Sequence, residues 1–583
     1  MNSILGLMSP SFFMLIGALL IPFMPKHIRV PFVLMIPVMA LVRVWQMPVG
    51  EDLISLNIAG FNIRPAFAHA YSHIFGTIFC IASFGGALFG LMQSRRIETS
   101  AAFLYGGSAL GVTFSGDFIS LFIYWELMAI GSTLIIFVSD QKNSMQAGMR
   151  YALIHFLGGV ILMTGIIGQI MLTGTATLVP FEAHTSLLLP EYGLDLNGII
   201  MWLILIGILI NAAAPPMSAW IADSYPKSSP FGAVFLSAFT TKTAVFVLLT
   251  LFAGTQLLIY IGLFMVFYGI IYAMLENDMR KILSYSIINQ VGFMIIGIGI
   301  GTTMALNGTA MHAFAHIVYK ALLFMSAGSV LYMTGKSKFT ELGGLCRTMK
   351  LTMVCGIIGA FSISAFPLTS GFITKSMIVS AVMKEELEMV WYLLMAASAG
   401  AFLYVGLKFP WFVFFGKDSG MRPDEPPFNM KLAMILFSLL CIIPGIPGLA
   451  EKTIYQMLPV VPDYVVYDKE HVISQLQLLL FAALAFFLML PMLKRTDTIS
   501  LDFDWFYRGL GHYVVSALYY IGRFPARIGL IVAKKIMKKW LKLFTKIYSP
   551  EGLLARSWSL GATVMWTGTF LGIYLVIYYI TPN

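Results

Sequence analysis

The chain has 583 residues, 58% of them hydrophobic and only 11% charged, with a formal net charge of +10. A soluble domain carries about 25% charge, so this composition excludes one and implies a polytopic membrane protein. Cys80, Cys346, Cys355 and Cys441 show no metal-ligand spacing, and no glycine-rich nucleotide fingerprint or P-loop is present. No metal site, disulfide frame or cofactor is therefore expected, and no ATP hydrolysis or redox chemistry is expected on this chain alone.

Apolar runs long enough to cross about 30 Å of hydrocarbon recur along the chain. About sixteen spans are expected, at 5–24, 29–46, 69–93, 100–116, 117–138, 149–173, 198–222, 230–253, 257–275, 281–301, 304–333, 352–383, 389–415, 431–447, 472–494 and 559–580. The first run is not read as a cleavable signal, because its basic residues, Lys26 and Arg29, follow it. Lys and Arg gather in alternate connections, at Lys26/Arg29, Arg95/Arg96, Lys142/Arg150, Lys227, Arg280/Lys281, Lys336 to Lys350, Lys417 to Lys431, and Lys494/Arg495. The positive-inside rule makes these connections cytoplasmic, and sixteen spans put both termini on the other side. The expected location is the cell inner (plasma) membrane.

Two spans are interrupted. Pro215–Pro216 falls within the seventh run, and Pro367 with Gly371 within the twelfth. The breaks lie five spans apart, an odd offset that makes two five-helix units opposite in orientation, and matched broken helices point to an ion site. Kinks used only for packing are the plainer alternative.

Ionisable side chains in apolar runs carry the functional signal, since a charge at membrane depth costs at least ~2.5 kcal/mol on insertion scales. Lys242 lies mid-run in FLSAFTTKTAVFVLLTLF with no other charge. Glu126, His312, His316, Lys320 and Lys375 have similar surroundings. His312 and His316 share a helix face with Lys320 one turn on, and no carboxylate or cysteine in that motif completes a metal site. Groups of both signs on different spans read as a proton or cation path.

The excess positive charge sits late in the chain. Eight Lys/Arg and no acid fall between Arg523 and Lys546, with Lys534, Lys538, Lys542 and Lys546 recurring every fourth residue opposite Ile536, Met537, Trp540, Leu541 and Phe544. That pattern is an amphipathic helix on a membrane surface or along other membrane helices, broken or bent at Pro525 away from the preceding segment, Trp505 to Gly522, and not a nucleic-acid patch.

WELMAIGS around Glu126, PPMSAWIADSYP, AFTTKTAVF around Lys242, ENDMRKILSYSIINQVGFM, MHAFAHIVYKALLFMSAG and ISAFPLTSGFITK occur in this order. From about 105 to 385 the chain resembles the antiporter-like membrane subunits shared by respiratory complex I and Mrp-type sodium/proton antiporters. ADSYP leans toward the D-type member of the Mrp antiporters, while the long span, lateral helix and last span resemble the largest complex I member. The resemblance implies an all-α fold with a fourteen-helix core of two inverted five-helix repeats. Its expected parts are 1–99 (N-terminal helices), 100–253 (first half-channel), 257–415 (second half-channel), 431–494 (C-terminal core helices), 496–558 (lateral segment) and 559–583 (final span).

The resemblance also implies roles. Glu126 matches the acid of the fifth helix, Lys242 the central relay, His312, His316 and Lys320 the eleventh-helix cluster, and Lys375 the base of the broken twelfth helix. Two departures alter the first half: Asn211 stands where the family has a lysine, and Ser218 where it has a histidine. His155 is a candidate to compensate.

The implied function is a proton- or cation-translocating membrane subunit of a multisubunit complex, similar to the Mrp D-type member, moving protons and exchanging Na⁺ through sister subunits. The alternatives are a proton-pumping subunit of a complex I-like or hydrogenase-like oxidoreductase, a membrane subunit of an inorganic-carbon uptake system, and a non-conducting scaffold. Expected partners are other membrane subunits and the lipid bilayer, with no nucleic acid.

Overall fold

The computed structural model describes residues 9–58, 60–181, 196–462, 464–493, 496, 501–549 and 559–580. Residues 5–8 of the first expected span, the basic pair Lys494 and Arg495, and residues 497–500 and 550–558 of the expected lateral segment lie outside the described residues, as do 581–583.

The chain opens with α1 (Pro10–Leu20) and α2 (Lys26–Gln46). An antiparallel ribbon follows, β1 (Asp52–Ile58) with β2 (Phe61–Phe67). The ribbon is an addition to the expected all-α fold; its alternating apolar residues flank Gly60, whose φ of +86° suits a residue without Cβ. Next come α3 (Ser72–Phe89), α4 (Arg96–Thr113), α5 (Phe118–Phe137) and α6 (Ser144–Thr173). The seventh run is α7 (Leu196–Asn211) with short α8 (Trp220–Ser224), and the eighth is α9 (Pro230–Ala238) with α10 (Thr240–Leu251). Then follow α11 (Leu257–Leu275), α12 (Met279–Ile300) and α13 (Thr303–Thr334). The twelfth run is α14 (Lys350–Ile363) and α15 (Ser370–Lys384). After it, α16 (Glu388–Ala401) widens into π turns to Phe415, and α17 (Phe428–Ile442) and α18 (Lys469–Met489) complete the core.

Each expected span falls on a helix or a broken helix. Twelve helical stretches among the described residues are long and apolar enough to cross a bilayer, and the chain is a multi-pass membrane protein. The centre is α12 and α13, whose apolar windows are 100% and 94% buried. Glycines let helices meet closely: a Cβ on Gly262 of α11 or Gly292 of α12 would stand 2.7 Å from the other's carbonyl oxygen.

Hydrogen bonds between connections define two opposite faces. On the basic face Arg95 meets Asp140 at 2.5 Å, Met279 N donates to Ser337 O at 3.0 Å, and Glu425 accepts from the Leu351 amide at 2.5 Å. On the other face Arg64 N donates to Asp117 at 2.7 Å, Phe118 N to Ala176 O at 2.8 Å, and Gly254 N to Ile298 O at 2.8 Å. Asp117 also caps α5, accepting from Ile119 N and Ser120 N.

The two breaks are one turn used twice. After α7, Ala213 has φ +62°, its N–H donates to Ile210 O, and Ala214 N donates to Leu209 O. After α14, Ala365 has φ +56°, its N–H donates to Ser362 O, and Phe366 N donates to Phe361 O. Counted from these alanines, Pro215 corresponds to Pro367, and Asp223 to Lys375 in the helices that follow.

Residues Trp505–Asn583 form a second compact unit. It contains α19 (Gly511–Tyr548), which carries the lysine series and keeps Pro525 inside the helix, and α20 (Leu560–Ile580), an apolar span with no buried residue.

Candidate ion-translocation site

Helix α13 presents His312, His316, Tyr319 and Lys320 on one face, all at most 1% exposed. His312 Nδ1 lies 3.0 Å from Thr374 Oγ1 of α15, and its Nε2 lies 3.1 Å from Gln290 Oε1 of α12. Tyr319 donates to the same Gln290 oxygen at 3.2 Å. Gln290 Nε2 in turn donates to Asn289 Oδ1 at 2.5 Å, which also accepts from Tyr404 at 2.9 Å. Lys320 Nζ donates to Leu283 O at 3.0 Å and to Ser286 Oγ. Both ring nitrogens of His316 are buried without a hydrogen bond, and the charges acting on it are Lys242, Lys320 and His312.

Lys242 is wholly buried at a third helix interruption, which no proline announced. Phe239 separates α9 from α10, and Lys242 Nζ donates back to Ser237 O at 2.6 Å. Ser237 lies in the last turn of α9, where carbonyls run out of amide partners. Across the interruption Tyr105 of α4 accepts from Thr240 N at 2.9 Å and stands 2.6 Å from Thr240 Oγ1.

Lys375, in the first turns of α15, has no hydrogen bond; its Nζ sits 4.4 Å above the Phe293 ring. It lines an open cavity of about 420 Å³ that also reaches Ser380, Tyr464, Glu470 and His471. The residues beyond α15 and before α18 place its opening on the face opposite the basic loops. Tyr464 belongs to the connection there, and burial pushes its hydroxyl up to about 12, so it remains neutral.

Five of the six expected residues therefore gather around α13: Lys242, His316, Lys320, His312 and Lys375. Glu126 stands apart. Its Oε1 is buried with no hydrogen bond and lies where a Cβ on Gly159 of α6 would go. One turn earlier on α6, His155 Nδ1 lies 2.7 Å from Asn211 Oδ1, so histidine and asparagine meet where the sequence departs from the family. The His155 ring packs on Trp220 at 4.5 Å and Tyr151 at 4.1 Å. Trp220 also packs on Tyr225 at 5.9 Å, and the Tyr151 and Tyr225 hydroxyls are buried without a hydrogen bond.

Other buried charges are braced. Arg280 donates to Pro226 O and Ser228 O at 2.9 Å and to Ser229 O at 3.0 Å, clamping the start of α12 to the connection before α9. Arg150 makes a two-bond pair with Asp223 at 2.7 and 2.9 Å. Lys408 donates to Met274 O at 2.6 Å, Glu276 O at 2.8 Å and Ala273 O at 3.4 Å, closing the end of α11. Glu98 accepts from Ser229 Oγ beside a smaller cavity, about 190 Å³, on the basic face. Sequence reasoning missed Tyr105, Tyr151, Gln290 and Tyr404, because a neutral polar residue in a span has no signature separate from packing.

Residues 115–403 match the family described as NADH:quinone oxidoreductase/Mrp antiporter, transmembrane. Over this central stretch, about half of its length, the chain is similar to the antiporter-like membrane subunits of that family. It is 26% identical over 371 residues to the D-type subunit of the Na⁺/H⁺ antiporter of Alkalihalophilus pseudofirmus, covering 61% of this chain and 73% of that one. It is 30% identical over 356 residues to the A/B-type subunit of a probable K⁺/H⁺ antiporter of Rhizobium meliloti, covering 58% of this chain but only 35% of that relative's length. Among solved structures, a chain of the Mrp complex from Dietzia sp. DQ12-45-1b matches with a TM-score of 0.66 at 17% identity, over 80% of this chain and 99% of that one. A chain of the membrane-bound sulfane sulfur reductase, an archaeal respiratory complex, matches with a TM-score of 0.70 at 21% identity, over 97% of this chain and 99% of that one. At these identities the solved structures establish the fold.

Proposed function

We propose that this antiporter-like subunit translocates protons, or cations exchanged for them, within a multisubunit complex of the cell inner membrane. Protons move between Lys242, His316, His312 and Lys375 through hydrogen-bonded side chains and water, with Lys320 adding charge near Lys242 and His316 and Glu126 serving the first half. Each added charge in this dry core raises the cost of charging its neighbours, so the groups titrate as a set. The observation that carries this reading is the wholly buried Lys242 Nζ, held by one carbonyl at a helix interruption, beside a histidine with neither nitrogen bonded.

The driver is a partner. Sister antiporter subunits fit the curated relatives, which include A-type and D-type subunits of Na⁺/H⁺ antiporters. A redox-driven complex is the second reading, favoured by the 97% coverage of this chain in the sulfane sulfur reductase likeness, which takes in the tail as well as the core. Lys242→Met in the intact complex, reconstituted in liposomes, tests translocation; proton movement is expected to fall to the passive leak at normal assembly. Wild-type proton movement in that variant would leave only the scaffold reading. The subunits that copurify separate the two drivers.

A further inference from the structure

The cavity beside Lys375 holds a titratable side chain that this relay does not use. His471 lies in the first turn of α18. Its Nδ1 is buried with no hydrogen-bond partner, and its Nε2 stands 3.5 Å from Ser380 Oγ, at the outer limit of a hydrogen bond. Ser380 is already engaged by the Tyr464 hydroxyl at 2.8 Å. A histidine placed only to brace α18 against α15 would use its ring nitrogens better than this. Lys375, Ser376, Ser380 and His471 line the same open cavity.

The charges around His471 define what passes. Helix α15 contributes Lys375 and Lys384, α18 contributes Glu470 next to the histidine, the connection contributes neutral Tyr464, and α16 contributes only Trp391, Met395 and Ser398. Two lysines against one glutamate do not make the oxygen-rich, anionic surroundings that hold a metal cation. Imidazole, in contrast, takes up and releases protons near neutral pH.

We propose that His471 is the proton-exchange group between Lys375 and the water on the face opposite the basic loops. The Lys375 ammonium gives a proton through cavity water to the free imidazole nitrogen. The imidazolium passes a proton to bulk water and returns to neutral, and uptake runs the same steps in reverse. This rests on reading Lys375 as a relay member, and the test separates the two.

His471→Gln, His471→Ala and Lys375→Met are compared in the intact complex in liposomes, following proton flux with a pH-sensitive dye across about pH 5 to 8. The His471 variants are expected to lower flux by roughly tenfold, less than the ~10²-fold or more of a positioned acid or base in a dry site, because cavity water substitutes in part. The pH profile of their flux should differ from that of the unaltered complex. Imidazole in the buffer should restore His471→Ala and leave Lys375→Met inactive. Wild-type flux and pH dependence in both His471 variants, with Lys375→Met inactive, would overturn the exchange role and leave the relay standing. Full flux in Lys375→Met would overturn both.

Discussion

An ammonium has three N–H donors, and the four buried lysines among the described residues spend them differently. Lys408 donates to three carbonyls, Lys320 to a carbonyl and a hydroxyl, Lys242 to one carbonyl, and Lys375 to none. Losing a proton costs Lys408 one of its three bonds and the charge that strengthens the other two, whereas Lys242 and Lys375 have donors not committed to protein acceptors. Lys408→Met is therefore expected to lower the thermal stability of the assembled complex, leaving α11's last carbonyls unpaired at ~1–3 kcal/mol for a buried group. Proton flux per assembled complex should stay near wild type, the reverse of Lys242→Met; a flux-dead but thermally normal Lys408→Met would refute this division. Lys242 was legible in the sequence because no other charge shares its run. The count of bonds was not, since it depends on which carbonyls the folded helix ends expose. Asn211 was legible as a departure from the family, but its partner His155 lies 56 positions away and only the packing of α6 on α7 brings them to 2.7 Å.

Helix interruptions are the next level, and two of the three announced themselves. Pro215 and Pro367 lack an amide donor, which favours a kink or break, so the interruptions of the seventh and twelfth runs were readable, whereas Pro31, Pro37 and Pro525 stay inside helices. The interruption at Phe239 has no such residue; its mark is the pair of hydrogen bonds from Lys242 Nζ and Thr240 N, made to groups outside the regular ladder. Both proline breaks also need an alanine at positive φ, at Ala213 and Ala365, a conformation that costs an L-residue about 1 kcal/mol and glycine almost nothing. Ala365→Gly should then be neutral or raise stability by up to ~1 kcal/mol. Ala365→Val should lower it by more, because a branched Cβ is crowded at that φ and the site is 2% exposed. Thermal unfolding of the purified complex checks both, and a Gly variant less stable than the Val variant would contradict the turn geometry. Ten residues past each of these alanines stand Asp223, paired with Arg150, and Lys375, unpaired above Phe293. One half is thus braced where the other is open to a cavity.

For the whole molecule, the question is what holds such a subunit to the machinery that drives it. The long basic helix α19 has lysines along one side and Met537, Trp540, Leu541 and Phe544 along the other, and both sides are exposed. A helix of this kind gains from an apolar surface and an anionic one together. This was the most readable part of the tail, because the four-residue lysine repeat survives directly as a helix face. Replacing Lys534, Lys538, Lys542 and Lys546 by Gln removes four charges, each worth ~1 kcal/mol against an anionic membrane surface. If anionic lipid is what the basic face meets, the complex should lose its preference for anionic over neutral lipid while retaining its neighbouring subunits through purification. If a neighbouring protein is what it meets, that neighbour should drop out of the purified complex and proton flux should fall with it. Unchanged lipid preference and unchanged subunit content in the fourfold variant would show that the lysine face holds neither.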